Sequence, residues 1–361
     1  MSGSDTLRSL RERIDTLDEQ IQHLLSERAR CAQQVAEIKQ QPGGKARYHR
    51  PEREAQILRR VRERNTGPLK DRVMMQLFRE IISACMALEQ TLTIAYLGPP
   101  GTFTHHAAVQ HFGRAVRTTA VASIDDAFRE VEAEAADYAV VPVDNSTEAV
   151  VGHTLARFIN SPLCICGESV LPIHQQLLSR AAGLKEIERL YARRQALIEC
   201  REWLDSNLPQ VERIVMASNG EAAQRAAKDS SSAAIVSAIA AEVHSLTILA
   251  PNIEDNPDAT TRYLIIGREP VAASGQDRTT LLMAASASSP RLLHHILEPL
   301  ARRELVVSRI ESRPSPQPPW DTLFFVDIEG HQEHASVAEA LAELADLSDF
   351  YQCLGSYPVS L

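Results

Sequence analysis

From Leu7 to Ile38, apolar residues recur at alternating gaps of three and four: Leu7, Leu10, Ile14, Leu17, Ile21 and Leu24, then Cys31, Val35 and Ile38. That period commits the segment to a helix with one apolar seam, and a seam of this length needs another helix to lie against. The seam position between Leu24 and Cys31 is Arg28. A guanidinium there requires an anion, because desolvating an unpaired charge is very costly. Lys39 stands eleven residues further on, roughly 20° around the axis and ~16 Å along it, so the two cations share a face. Arg11, seventeen residues before Arg28, is roughly 100° away and ~25 Å distant, so it can join them only from a partner chain.

The rest of the chain changes pattern twice. Residues 1–91 read as wholly helical: a first helix from about Thr6 to Gln41 stopped by PGG at 42–44, a second opening at Pro51, and a third over Asp71 to Gln90. Three such helices make a poor solitary core, so pairing with a second copy is expected. From 93 to 268, buried-strand runs (TIAYL, AVVPV, PLCICG, AAIVS, YLIIG) alternate with helical patterns, predicting an α/β unit with a parallel component. Residues 279–356 read strand, helix, strand, strand, helix, strand, the βαββαβ order of a ferredoxin-like unit. With 361 residues, two or three cores are expected.

A net charge of -9 argues against a nucleic-acid surface and requires any anionic ligand to be held by a local basic cluster. The polar start MSGSDTLRSLRERID carries no apolar targeting core, and no long uncharged apolar run follows, so a cytoplasmic protein without membrane contact is expected. Six scattered cysteines fit a reducing compartment, with Cys164 and Cys166 as buried strand thiols.

Arg11, Arg28, Lys39, Arg53 and Glu54 stand where residues 5–91 resemble the small all-helical chorismate mutase domain that opens bifunctional chorismate mutase/prephenate dehydratases. The resemblance implies that Arg28 and a partner's Arg11 hold the two carboxylates of chorismate, and that Glu54 accepts a hydrogen bond from its ring hydroxyl. Arg50, Cys85 and Glu89 complete the implied chorismate site. The rearrangement to prephenate is pericyclic and needs no cofactor or metal. It is accelerated by fixing a compact conformer and stabilising charge on the ether oxygen, with Lys39 and Glu89 as the donors. Glu89, where many relatives carry Gln, can donate only while protonated.

In the middle segment, YLGPPGTFTHHAAVQHF (96–112) places Gly, Pro and hydroxyl residues between a strand and a helix, and fits neither GxGxxG nor a phosphate-binding P-loop. Together with VPVDNSTEAVVGHT, ESVLPIHQQLL and NIEDNPDATTRYLII it resembles prephenate dehydratases, two α/β lobes of periplasmic-binding-protein type with the site in the cleft. By that resemblance Thr261 assists departure of the ring hydroxyl, and Thr102, Thr104, Asn145, Ser146 and His174 bind prephenate. Arg262 either clamps a carboxylate or braces the lobe hinge, and His174 has the alternative of a satisfied histidine beside a strand.

The last segment resembles an ACT regulatory domain, with Glu311, Ser312, Arg313 and Pro314 as its phenylalanine-responsive motif. Arg291-Leu292-Leu293 replaces the usual Gly-Ala-Leu and removes room for close backbone approach. L-phenylalanine as a feedback effector and a homodimer or higher oligomer are the expectations. The rival reading is a noncatalytic two-lobed sensor with an ACT unit and a helical dimerisation arm. It leaves Arg28, Lys39 and Glu54 together with Thr261-Arg262 unexplained.

Overall fold

A computed structural model of the chain describes residues 3–39, 49–145, 152–285, 292–314 and 322–361. The helix stop expected at 42–44 lies outside them, as does Ser146. Three helices come first: α1 (Gly3–Lys39), α2 (Pro51–Arg64) and α3 (Asp71–Ala87). Pro51 opens α2, where its missing N–H costs nothing. Much of the α1 seam is uncovered (Leu10 is 54% exposed, Ile14 56% and Leu24 62%), and it meets α3 at Arg28. The helical unit is fastened through α2 and α3. Arg59, nearly buried on α2, donates to the Ser274 carbonyl at 2.7 Å and to the Ser274 hydroxyl at 2.6 Å.

The α/β unit starts with β1 (Thr93–Leu97), α4 (Phe103–Phe112), β2 (Arg117–Val121), α5 (Ile124–Glu132), β3 (Tyr138–Asn145), α6 (Gly152–Arg157) and β4 (Cys164–Pro172). The chain then crosses to a second lobe: β5 (Gln176–Ser179), β6 (Arg189–Arg193), α7 (Arg194–Glu199), α8 (Arg201–Asn207), β7 (Glu212–Met216), α9 (Asn219–Ala226), β8 (Ser232–Val236), α10 (Ile239–His244) and β9 (Thr247–Ala250). It returns with β10 (Thr260–Gly267). The first lobe is ordered β2-β1-β3-β10-β4 and the second β7-β6-β8-β5-β9. The βαβ connections give parallel pairs (β1 with β2 and β3, β6 with β7 and β8), whereas the returning β10 runs antiparallel to both neighbours. The parallel component read from the sequence is therefore present in both lobes.

The C-terminal unit comprises β11 (Asp277–Ala285), α11 (Leu292–Arg302), β12 (Val307–Pro314), β13 (Thr322–Glu329), α12 (Ala335–Leu347) and β14 (Phe350–Pro358). Its antiparallel sheet is ordered β12-β13-β11-β14, as βαββαβ connectivity requires. Strand alternation divides β11 between two cores. Leu281 and Met283 pack under α11 and α12, while Leu282 and Ala284 join Ile165, Leu264 and Val141 of the first lobe. The close approach is made at Gly355, in a left-handed conformation (φ +145), where an added Cβ would stand 2.4 Å from the Ile165 carbonyl oxygen.

Candidate active sites

A cavity of about 540 Å3 lies between the two α/β lobes. The first lobe lines it with Thr102, Thr104, Asn145, Thr261 and Tyr263, and the facing side contributes Gln175, Arg193, Gln195, Glu199, Ser218 and Asn219. Thr102 owes its position to capping: its hydroxyl donates to the Leu97 carbonyl at 3.1 Å and accepts from the His105 N–H at 3.3 Å, closing the turn between β1 and α4. The lobes meet beside this turn, where the Ser237 hydroxyl donates to the Gly101 carbonyl at 2.9 Å.

Strand alternation decides the roles along β10. Thr261 and Tyr263 face the cavity. Burial pushes the Tyr263 phenol well above its ordinary range, with hydrogen bonds to Thr261 and Thr104 drawing it partly back, so the three hydroxyls form one protonated cluster. Arg262 faces the other way. Its guanidinium donates to Glu168 at 2.8 Å, Asp327 at 2.5 Å and the Tyr357 hydroxyl at 2.9 Å. The carboxylate-clamp reading of Arg262 is corrected: this arginine ties the first lobe to the C-terminal sheet. His174 also stands outside the cavity lining, with Nδ1 2.6 Å from Glu254, a pair that anchors the entry to β5.

Several cavity residues escaped the sequence reading. Gln175 and Gln195 hold Glu199 from both sides, at 2.9 and 3.1 Å. The buried Gln175 Oε1 and Asn219 Oδ1 have no partner among the described residues, as expected of groups that await a ligand or water. Ser218 and Asn219 were findable, because S-N-G-E at 218–221 is a capping box and Ser218 does accept from the Glu221 N–H at 3.1 Å.

In the helical unit, Arg28 reaches the Ile81 carbonyl at 3.5 Å, bringing the α1 cation to the face of α3 that carries Cys85 one turn on, with Glu89 in the turn that follows the helix. Cys85 is buried, and Glu89 Oε2 is buried without a partner among the described residues. Lys39 ends α1, and Arg11 and Arg53 are exposed. Two further residues of the implied chorismate site have partners within their own chain. Arg50 donates to Glu52 at 2.7 Å. Glu54 turns toward the α/β unit, 3.4 Å from His49 and 3.6 Å from Arg79, in a small cavity that is lined by His111 and Glu168 and by no α1 residue. Burial alone would raise its carboxyl pKa, but the His49 hydrogen bond and the Arg79 charge outweigh that and hold it below the ordinary value. A buried carboxylate takes the nearest donors, and in one protomer these lie away from α1.

Glu311 accepts from Arg309 and, at 2.6 Å, from Arg313, all on the edge strand β12. Arg309 also lies 3.6 Å from Asp144, next to Asn145 of the cavity.

The chorismate mutase type II family model matches residues 10–90, and the prephenate dehydratase model matches 94–271. The bifunctional chorismate mutase/prephenate dehydratase of Pseudomonas aeruginosa is 45% identical over 99% of both chains. Among solved structures, the prephenate dehydratase of Arthrobacter aurescens in complex with L-Phe is 34% identical with a TM-score of 0.68, covering 74% of this chain and 90% of its own. The quorum-quenching acylase GqqA is 28% identical with a TM-score of 0.67, covering 74% and 98%. That likeness reaches about three quarters of the chain, whereas the Pseudomonas enzyme matches nearly end to end, helical segment included. By that full-length match, the chain belongs to the bifunctional chorismate mutase/prephenate dehydratase family.

Proposed function

We propose that the chain rearranges chorismate to prephenate in its helical unit, residues 1–91, and converts prephenate to phenylpyruvate in the cleft of its α/β unit, residues 93–268. The observation that carries this reading is the inter-lobe cavity, with a protonated Thr104–Thr261–Tyr263 cluster on one wall. Prephenate loses its ring hydroxyl and CO2 together. The electrons of the breaking C–C bond aromatise the ring as the C–O bond opens, and one proton turns the departing hydroxide into water. Thr261 supplies the hydrogen bond to that oxygen. Cleft residues Thr102, Thr104 and Asn145 hold the substrate beside it.

Chorismate binds in the seam between α1 and α3, with Arg28, Lys39, Cys85 and Glu89 of one chain and Arg11 of a second copy. The exposed apolar stripe of α1 supports this pairing. Residues 279–356 act as an ACT-type sensor that binds L-phenylalanine near Glu311–Pro314, in keeping with the amino acid bound by the Arthrobacter enzyme. The setting is the cytoplasm.

Absorbance assays test the two activities separately: loss of chorismate, and alkaline appearance of phenylpyruvate. Thr261→Ala is expected to lower dehydratase kcat by roughly 10²-fold or more while leaving mutase turnover intact. Retained dehydratase turnover in a folded variant removes Thr261 from the mechanism.

A further inference from the structure

Prephenate carries two carboxylates, yet the cavity wall around Thr261 is built of neutral hydroxyls and amides. Among the described residues lining the cavity, Arg193 is the one cation. It stands at the end of β6 in the second lobe, across from Thr261, and among the described residues no hydrogen bond or ion pair engages its guanidinium. The other charged lining residue, Glu199, is already held by Gln175 and Gln195 and would repel a dianion.

We infer that Arg193 is the anion clamp of the dehydratase cleft, and that it grips the pyruvyl carboxylate of prephenate rather than the carboxylate that departs. The inference rests on the cleft being the dehydratase site. Two chemical arguments choose between the carboxylates. The ring hydroxyl and the carbon bearing both carboxylate arms lie at opposite ends of the ring, so a substrate with its hydroxyl at Thr261 directs those arms away from it, toward the facing lobe. In addition, the departing carboxylate loses its negative charge as CO2 forms. An arginine paired with it would stabilise the ground state more than the transition state and slow the reaction. The pyruvyl carboxylate keeps its charge throughout, so a cation there strengthens binding without opposing the chemical step.

Arg193→Gln and Arg193→Lys, made in the full chain, test this. For Arg193→Gln the dehydratase KM is expected to rise about 10- to 100-fold with kcat changed less than about threefold, the signature of uniform binding. Arg193→Lys should recover part of the loss. Phenylpyruvate retains the pyruvyl carboxylate and lacks the ring one, so its inhibition constant should rise in parallel with KM. Unchanged mutase turnover in the same preparation reports a folded chain. An unchanged KM overturns the clamp. A raised kcat, or a raised KM with an unaltered phenylpyruvate constant, overturns the choice of carboxylate. Absence of dehydratase turnover in the unsubstituted protein would instead overturn the site itself.

Discussion

At the scale of single residues, burial sets protonation. His111 lies beside Glu54 and Arg79, and burial pushes its imidazole down to about 3, so it is neutral at pH 7. An unfolded histidine titrates near pH 6.5. The unfolded chain therefore binds the extra proton first, and the stability that His111 contributes is complete above about pH 6.5 and is lost as pH falls toward 3. Each such group adds at most about 1.4 kcal/mol per pH unit to the acid slope. His111→Gln should make the fall in urea midpoint between pH 7 and 5 shallower. His106, pushed by burial to about 4, keeps part of the slope. An unaltered slope would show that His111 titrates normally. At this scale the sequence was legible where a motif fixed a residue and a strand period fixed its direction, as for Thr261. Arg193 was not legible, because the wall it faces is built around residues such as Thr261 and Thr102, 68 and 91 positions away along the chain.

Elements were read best where their hydrophobic pattern was long. The α1 seam, the βαββαβ order and the buried runs of β3, β8 and β10 all follow from periodicity. Strands β2, β5, β6, β7 and β9, each of four or five residues, went unread. β2 and β7 are also edge strands of mixed exposure, so they lack the continuous apolar run of a central strand. The α1 stripe carries its own prediction. Ile14→Glu combined with Leu17→Glu puts two charges into the seam, so sedimentation should show dissociated chains with mutase turnover reduced at least tenfold and dehydratase turnover retained. A monomeric unsubstituted protein with full mutase activity would end the pairing model.

Across the whole molecule, Arg262 and the shared core join catalysis to the C-terminal sheet. The Arg262 side chain is 11% exposed, and its two carboxylate partners are 2% and 3% exposed. Glu168 keeps Arg278 at 2.5 Å, but removing the Arg262 cation leaves the buried Asp327 carboxylate with the Thr280 hydroxyl and no cation among the described residues, so Arg262→Ala should cost about 3–5 kcal/mol in urea unfolding and weaken both activities of the folded fraction. A loss below 1 kcal/mol would mean that water reaches the cluster. Domain order was readable from pattern, but the way the units dock was not, because alternating leucines on β11 do not announce which neighbour each face will meet. Leu282 and Ala284 are wedged among Ile165 and Leu264, with Gly355 pressed on the carbonyl behind them. An exchange of C-terminal units between relatives must therefore recut both mating surfaces at once, which makes the tandem far easier to retune by point changes than to reassemble from parts.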